Sequence, residues 1–240
     1  MRITPFLLTT LVCLCVMNVK SFAQAVSPTA SILDSASYHA RVLHQEKEYQ
    51  QLELFTGAVY DGYLRSIKGS PYFFSGDFAP INLKFRGVPY FDIPALYDKY
   101  IKTLIIKHYN GFTSLQLENE GIESFEINGH EFRHFRSGEI ENLDQGIYRY
   151  LAKGQFTALT LDAVELNEKV AMTVEKEFLP KNEYYIIEGG KAYMIERKKD
   201  LLRTLNINSK ELRQIGKEND YKWKRNKEKL IQITTEIKNK

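Results

Sequence analysis

The stretch from Ile101 to Phe135 constrains the fold most, because it places two Asn-Gly pairs between β-rich runs. This dipeptide between alternating apolar residues is the strongest short-range hairpin signal, since both central residues of a type I′ turn need φ > 0. A two-residue turn at Asn110-Gly111 would pair Ile106 with Leu115 and leave one face of the hairpin aliphatic. A slip of one residue would scramble that face, so the register is well specified.

The second pair, Asn128-Gly129, falls inside a segment that also matches a catalytic motif. His130, Glu131 and His134 form H-E-x-x-H, which in zinc metalloproteases lies on a helix with the glutamate as general base. A turn directly before His130 predicts a strand instead, with Phe125 opposite Phe132. Four residues of strand span about 13 Å, too far for both imidazoles to bind one zinc ion.

We therefore predict no catalytic, metal-binding or cofactor-binding residue in this motif and no cofactor for the chain. The strand interpretation pairs Glu123 with His134 and sets Glu126 opposite Glu131, where like charges repel. The alternative remains a zinc-dependent hydrolase that uses His130/Glu131/His134, with a distant third ligand such as Glu165.

Further short strands are predicted along most of the chain. Residues 81–85 alternate apolar and polar side chains with the period of a half-buried strand. Gly87, Pro89 and Pro94 are expected to break the next segment. Tyr184–Ile187 and Ala192–Ile195 flank Gly189-Gly190 as another hairpin. Short strands at this spacing predict an antiparallel β meander, curved or partly closed.

The pattern becomes helical after Arg197. Asn208 with Glu211 three residues later resembles a capping box. Trp223, Leu230, Ile233 and Ile237 recur at helical spacing, and we expect these four side chains to share one buried face. The predicted fold class is thus α+β, mainly an antiparallel β meander with a C-terminal helical segment.

The N-terminus has the three parts of a secretory signal peptide. Arg2 precedes an apolar run from Phe6 to Val19, and the small-residue sequence Ser21-Phe22-Ala23 follows. We predict cleavage between Ala23 and Gln24, with a retained membrane anchor as the alternative. Both cysteines lie in this segment, so the mature chain would have neither disulfides nor thiolate sites. Four regions are predicted: a signal peptide (1–23), a flexible lead-in (24–36), an antiparallel β domain (37–196) and basic C-terminal helices packed on the sheet (197–240).

Charge is unevenly distributed. The whole chain carries a formal net charge of +3, which gives no general argument for nucleic acid. From Lys191 onward, 15 Lys and Arg against 7 Asp and Glu give +8, which leaves −5 for the rest. Residues 221–225 alternate aromatic and basic side chains. In an exported protein we expect Trp223 to pack and the lysines to face water, with an anionic envelope surface as a possible partner.

Several segments resemble a family of uncharacterised exported β-rich proteins of Gram-negative bacteria. They are Leu54-Phe55-Thr56-Gly57 with Tyr60, Gly69–Phe73, Gly87–Tyr90, Ile93–Asp98, the turn between Phe125 and Phe132, Lys198–Leu202, and Glu211-Leu212-Arg213. The resemblance covers most of the mature chain and implies export and β architecture. It implies no activity and assigns no site. Thr56 stands where that pattern would have Asn.

We accordingly expect an exported, non-enzymatic module, located in the periplasm, in the outer envelope or outside the cell. It would bind an unknown protein partner or a small apolar ligand on its sheet face, and no nucleic acid is expected. Two alternatives stay open: the zinc-dependent hydrolase above, and a carrier of an apolar ligand inside a half-barrel, suggested by 15 Tyr and 14 Phe.

Overall fold

The computed structural model describes residues 53–170 and 174–240, which all fall in the unit formed by Val42–Lys240. The predicted signal peptide, its cleavage site at Ala23 and Gln24, the lead-in at 24–36 and the first part of the predicted β domain, 37–52, lie outside the described residues. The predictions for those segments therefore stay predictions.

Thirteen strands and three helices make up the described chain, together with short 3-10 helices at Glu53–Phe55 and Asn119–Gly121. The strands are β1 (Ala58–Val59), β2 (Ala79–Phe85), β3 (Val88–Asp98), β4 (Thr103–Lys107), β5 (Ser114–Gln116), β6 (Ile122–Ile127), β7 (His130–Phe135), β8 (Gly146–Ala152), β9 (Thr157–Leu161), β10 (Val164–Val170), β11 (Val174–Pro180), β12 (Glu183–Glu188) and β13 (Lys191–Met194). The helices are α1 (Lys198–Thr204), α2 (Ser209–Glu218) and α3 (Lys227–Lys238).

Eleven strands form one open antiparallel sheet in the order β1-β5-β4-β3-β2-β6-β7-β8-β9-β12-β13. The chain runs outward from β2 through β3 and β4 to β5, returns to pair β6 with the other side of β2, and then runs outward again through β7, β8 and β9. Two meanders thus meet at β2 and β6. The prediction of an α+β fold with an antiparallel meander and a C-terminal helical segment is confirmed.

The two Asn-Gly turns differ although the dipeptide is the same. Asn128 and Gly129 take φ of 51° and 73°, as a type I′ turn requires, and Phe125 pairs with Phe132 as predicted. At Asn110-Gly111 the predicted pairing of Ile106 with Leu115 is confirmed, but of the two only Gly111 has positive φ.

The type I′ turn predicted at Asn110-Gly111 is therefore wrong. The loop there is longer, because the side-chain oxygen of Asn110 accepts hydrogen bonds from the N–H groups of Phe112 and Thr113. Such Asx bonding offers the backbone an alternative to the two-residue turn.

The expectation that Pro89 and Pro94 break the chain is also wrong, because both lie within β3. Pro94 pairs with Pro80 of β2. Because neither proline has an N–H group, no hydrogen-bond acceptor is left unpaired between these two residues. On the other side of β3, strand β4 pairs only from Ala95 onward, so proline there removes no donor that the sheet uses.

Strands β10 and β11 form a separate two-stranded antiparallel ribbon, paired from Val164↔Pro180 to Val170↔Val174. Strand β10 is not evident from the sequence. The alternation in Val-Glu-Leu-Asn-Glu-Lys-Val is weak because few of its side chains are buried.

Helices α1, α2 and α3 cover one end of the sheet, where α3 contacts β8 and β9. The side chain of Asn208 accepts hydrogen bonds from the N–H groups of Lys210 and Glu211, so the predicted N-cap of α2 is present. Together with β8, β9 and β12 the helices enclose an apolar cluster, the helical core: Leu151, Ala152, Phe156, Ala158, Ile186, Ile195, Leu201, Leu205, Ile207, Leu212, Ile215, Leu230 and Ile231.

The face predicted for the last helix is confirmed in part, because Leu230 is buried and Trp223 and Ile233 pack against the helical core. Its extent is wrong. Trp223 precedes α3 in a turn, and Ile237 is 40% exposed. The buried side chains of α3 are Leu230, Ile231, Thr234 and Thr235. The two threonines fit because their hydroxyls donate to the carbonyl groups four residues earlier in the helix.

A second apolar cluster, the meander core, fills the curve of strands β2 to β8. Its aromatic members pack ring against ring: Phe125 and Phe132 stack at 4.6 Å between centroids, and Tyr97 contacts both. A third, smaller cluster lies around Phe135, Tyr148 and Tyr185.

Candidate functional site

The meander core and the helical core lie on the same face of the sheet, and a charged residue separates them. Along β8 the side chains of Ile147, Arg149 and Leu151 point to one face, because alternate residues of a strand do. Ile147 belongs to the meander core and Leu151 to the helical core. Arg149 stands between the two clusters and is buried.

A cleft of about 380 Å³ opens above Arg149, and we call it the sheet-face cleft. Strands β7 and β8, the residues just after β3 and β9, the loops before β2 and β12, and the start of α3 all contribute to it. Its lining residues are Phe73, Phe74, Lys99, His130, Arg149, Asp162, Asn182, Glu228 and Lys229.

The floor of the cleft is an ion network around Arg149. Asp162 accepts a bidentate pair of hydrogen bonds from its Nε and Nη2, at 2.6 and 2.9 Å. Glu228, in the first turn of α3, accepts two more from Nη1 and Nη2, at 3.1 and 3.0 Å. The bonds with these carboxylates outweigh burial and raise the pKa of Arg149, so the guanidinium stays charged. The network ties the helices to the sheet.

Asp162 follows β9 and is 2% exposed. Burial raises the pKa of this carboxyl group, and the Arg149 guanidinium opposes that rise. The chain after Asp162 is held in place by Asn182, whose side-chain oxygen accepts the Ala163 N–H.

Two buried hydroxyl groups close to this network have no hydrogen-bond partner within the described part of the chain, those of Tyr97 and Thr160. Thr160 is directly opposite Arg149 in the β8–β9 ladder. Burial raises the pKa of Tyr97, with a further contribution from Asp162. Buried polar groups without a hydrogen-bond partner are costly and few in native proteins.

An aromatic wall closes one side of the cleft. The Phe73 N–H donates to the Tyr97 carbonyl, which holds this loop over the sheet and places the Phe73 ring 5.1 Å from the Arg149 guanidinium carbon. Phe74 is 63% exposed and has φ of 65°. A positive φ in a bulky residue other than glycine is strained, and such strain concentrates at functional sites.

Two lysine side chains contribute positive charge to the cleft in addition to Arg149. The Lys99 ammonium group is half-buried and has no hydrogen bond or salt bridge to any residue that the structure describes. Burial lowers its pKa, and the carboxylates of Asp162 and Asp98 oppose that shift. Lys229 stands exposed on the other side. With Arg149 these make three cations against two carboxylates, both already bonded to Arg149.

His130 connects the predicted motif to this cleft. Its ring lies edge-on to Phe73 and tilted against Phe74, with centroids 5.5 and 5.4 Å apart. Burial lowers the pKa of His130, and the cations of Arg149 and Lys229 lower it further. The imidazole is therefore neutral near pH 7.

The other two residues of H-E-x-x-H, Glu131 and His134, do not line the sheet-face cleft. The motif lies on strand β7, as predicted, and a ring nitrogen of the buried His134 is bonded to the Ile122 carbonyl. Glu131 forms a salt bridge with Lys153 instead. Among the described residues, no group of three or more His, Cys, Asp or Glu could hold a metal ion.

One predicted pair in this hairpin is wrong. Glu123 does not pair with His134, because Lys84 and the Gly87 N–H bind its carboxylate. These bonds, the salt bridge with Lys84 first, lower the pKa of Glu123. The predicted opposition of Glu126 and Glu131 is confirmed, and the Lys153 partner offsets the repulsion.

Comparison with known proteins found no matching family model, no similar curated protein and no similar solved structure. Within the described part of the chain, none of the helices is long and apolar enough to cross a bilayer. The case for a functional site therefore depends on the geometry of the sheet-face cleft.

Proposed function

We propose that this protein is an exported, non-enzymatic binding module and that the sheet-face cleft holds its ligand or a side chain of its partner. The observation that carries the proposal is the half-buried Lys99 ammonium group, which lines the cleft beside an aromatic wall and forms no hydrogen bond or salt bridge with a described residue. An unpaired buried cation is costly, and an anionic group of a ligand would offset that cost. The ligand chemistry we propose is a carboxylate or phosphate attached to a flat apolar portion.

The aromatic wall supports the second half of this description. Phe74 exposes its ring next to His130, where a flat apolar group would stack on it. A neutral imidazole adds a hydrogen-bonding edge without adding charge. Small-molecule sites commonly combine apolar walls with a few placed polar groups, which is the composition here.

Binding is favoured over catalysis because the acid–base groups are already engaged. Both carboxylates of the cleft are bonded to Arg149, so neither is a free general base. No Ser, Thr or Cys is among the described residues that line the cleft. The hydrolase alternative requires His130, Glu131 and His134 to converge, and their strand geometry opposes it.

The apolar-carrier alternative receives less support. The meander core consists of closely packed buried side chains, among them the stacked rings of Phe125 and Phe132. A carrier of an apolar ligand would need an apolar cavity of about 300–1,000 Å³ there.

The first test is a ligand titration followed by NMR. Benzoate and phenyl phosphate serve as probes, and benzyl alcohol is the neutral probe of matched shape. We expect both anions to shift the ring signals of His130, identified by comparison with His130→Gln. We expect Lys99→Met to weaken binding at least about tenfold, the effect of losing one charge-assisted hydrogen bond.

Lys102→Met is the matched control, because Lys102 is exposed and does not line the cleft. It should bind the probes as the wild type does. Equal NMR shifts with benzyl alcohol would contradict the proposal that the cleft binds an anionic group. Unchanged probe affinity in Lys99→Met would show that Lys99 does not contact the ligand.

Export is the second part of the proposal, and it is supported by the signal-peptide pattern from Arg2 to Ala23. We expect the protein recovered from the cell envelope or the medium to begin at Gln24 on N-terminal sequencing. Envelope protein that still begins at Met1 would contradict cleavage at this site.

A further inference from the structure

A second concave surface, of about 410 Å³, lies among the three helices and is distinct from the sheet-face cleft. We call it the helical groove. Four cations rim it: Lys198 of α1, Arg213 and Lys217 of α2, and Lys222 of the following turn. None of the four has a salt bridge or a side-chain hydrogen bond to another described residue. Asp220 is the one carboxylate among the groove residues.

The turn that forms one wall is built to a close fit. The Tyr221 N–H donates to the Gly216 carbonyl at 2.8 Å, and a Cβ on Gly216 would come within 2.7 Å of the Tyr221 oxygen. Glycine is therefore required where the turn crosses α2. In this turn the half-buried rings of Tyr221 and Trp223 lie between exposed basic residues.

We infer that the helical groove docks the protein on an anionic lipid surface. The charge is complementary, since four unpaired cations face one carboxylate at the rim. The alternation of aromatic and basic side chains suits a bilayer interface, where amphipathic rings lie at headgroup level and cations meet the phosphates. This inference uses no residue of the sheet-face cleft and does not depend on the function proposed for it.

Trp223 is the one tryptophan of the chain, so its fluorescence reports on the groove directly. Protein that begins at Gln24 is titrated with phosphatidylcholine vesicles containing 30% phosphatidylglycerol and, separately, with pure phosphatidylcholine vesicles. We expect a blue shift with the anionic vesicles alone, reversed by salt. Arg213→Gln/Lys217→Gln should weaken binding about thirtyfold, because each cation near an anionic surface contributes to affinity.

Lys210→Gln/Lys238→Gln is the control with the same loss of charge in the same segment, since both lysines are exposed and lie outside the groove. It should lose at most about threefold. Equal losses in the two double variants would overturn the groove as the docking site. An equal shift with soluble glycerol 3-phosphate, or tight binding to duplex DNA, would overturn the lipid surface as the partner.

Discussion

Two buried carboxylates, Asp98 and Asp162, show how the same chemical group serves different ends in this fold. Asp98 is 0% exposed at the end of β3, and Asp162 is 2% exposed just after β9. Lys99 follows Asp98 directly in sequence, and its ammonium group interacts with both carboxylates. The difference between the two sites lies in their donors.

The four hydrogen bonds that the described residues donate to the Asp98 carboxylate all come from neutral groups. The hydroxyls of Tyr60 and Tyr63 donate to Oδ2 at 2.7 and 2.8 Å, and the N–H groups of Tyr100 and Ile101 donate to Oδ1 at 2.8 and 3.2 Å. Burial, together with hydrogen bonding to the carboxylate, raises the pKa of both tyrosines, so they remain donors. This arrangement fixes the loop before β2 against the sheet and leaves no oxygen for a ligand.

Asp162 instead depends on one charged donor, Arg149, in a site that opens to solvent and contains further cations. Its oxygens accept hydrogen bonds from Arg149, whereas the neighbouring Lys99 ammonium group has no hydrogen bond to a described residue. The neutral donors of Asp98 fix the surrounding loop and add no charge to the site. Arg149, which binds Asp162, lies in an open cleft beside further cations that an anionic ligand can contact. That contrast is why we assign structure to Asp98 and ligand binding to the neighbourhood of Asp162.

Arg149→Met should have the largest effect on stability. Removing the guanidinium leaves the buried Asp162 and the partly buried Glu228 close together without the cation that binds both. Breaking a buried ion pair in this way costs about 3–5 kcal/mol. Urea unfolding followed by circular dichroism measures the change.

The control adds Asp162→Leu and Glu228→Gln to Arg149→Met. Apolar or neutral replacement of a whole buried network is often close to neutral, so the triple variant should recover most of the loss. A triple variant no more stable than Arg149→Met would show that the guanidinium acts through packing on Phe73 rather than through charge.

Asp98→Asn should have the next largest effect. The amide keeps the shape of the carboxylate but loses the charge that strengthens four hydrogen bonds, and we expect a cost of about 2–3 kcal/mol. Ligand binding in the sheet-face cleft should be unchanged. Loss of probe binding in a folded Asp98→Asn protein would mean that the two carboxylates are not as separate as their donors indicate.

The hairpins could be predicted from sequence because their signals are local. Asn128-Gly129 fixed the pairing of Phe125 with Phe132, and it also identified H-E-x-x-H as a strand. The type I′ turn at Asn110-Gly111 was wrong for a local reason, the hydrogen bonds that the Asn110 side chain accepts. Other errors arose where a distant partner decides the outcome. Pro94 is tolerated because Pro80 lies opposite, and Glu123 binds Lys84 and the Gly87 N–H rather than His134.

The sheet-face cleft could not be predicted because its residues come from distant parts of the chain. Glu228 lies 79 residues from the Arg149 that it binds. One local signal was available: Arg149 interrupts the otherwise uncharged strand Gly146–Ala152. A charge in a strand that reads as buried indicates a buried partner, although it does not say which residue that partner is.

His130 offers the smallest effect and the finest test of the contrast. Burial first, and then Arg149 and Lys229, holds its pKa below the unfolded value of about 6.5, against the opposing carboxylates of Glu228 and Asp162. Above that pH both states are neutral and His130 adds nothing. As the pH falls through about 6.5 the unfolded chain takes up the proton first, so folding stability decreases until the folded pKa is passed.

Wild-type protein should therefore lose more stability than His130→Gln between about pH 7.5 and 5.5, by less than about 1 kcal/mol because the ring is partly solvated. An NMR titration of His130 checks the sign directly, and phenyl phosphate should raise its pKa by placing an anion beside the ring. A His130 that titrates above 6.5 without ligand would mean that the carboxylates, rather than the cations, dominate the field of this cleft. The cleft would then attract cations, and the contrast drawn with Asp98 would fail.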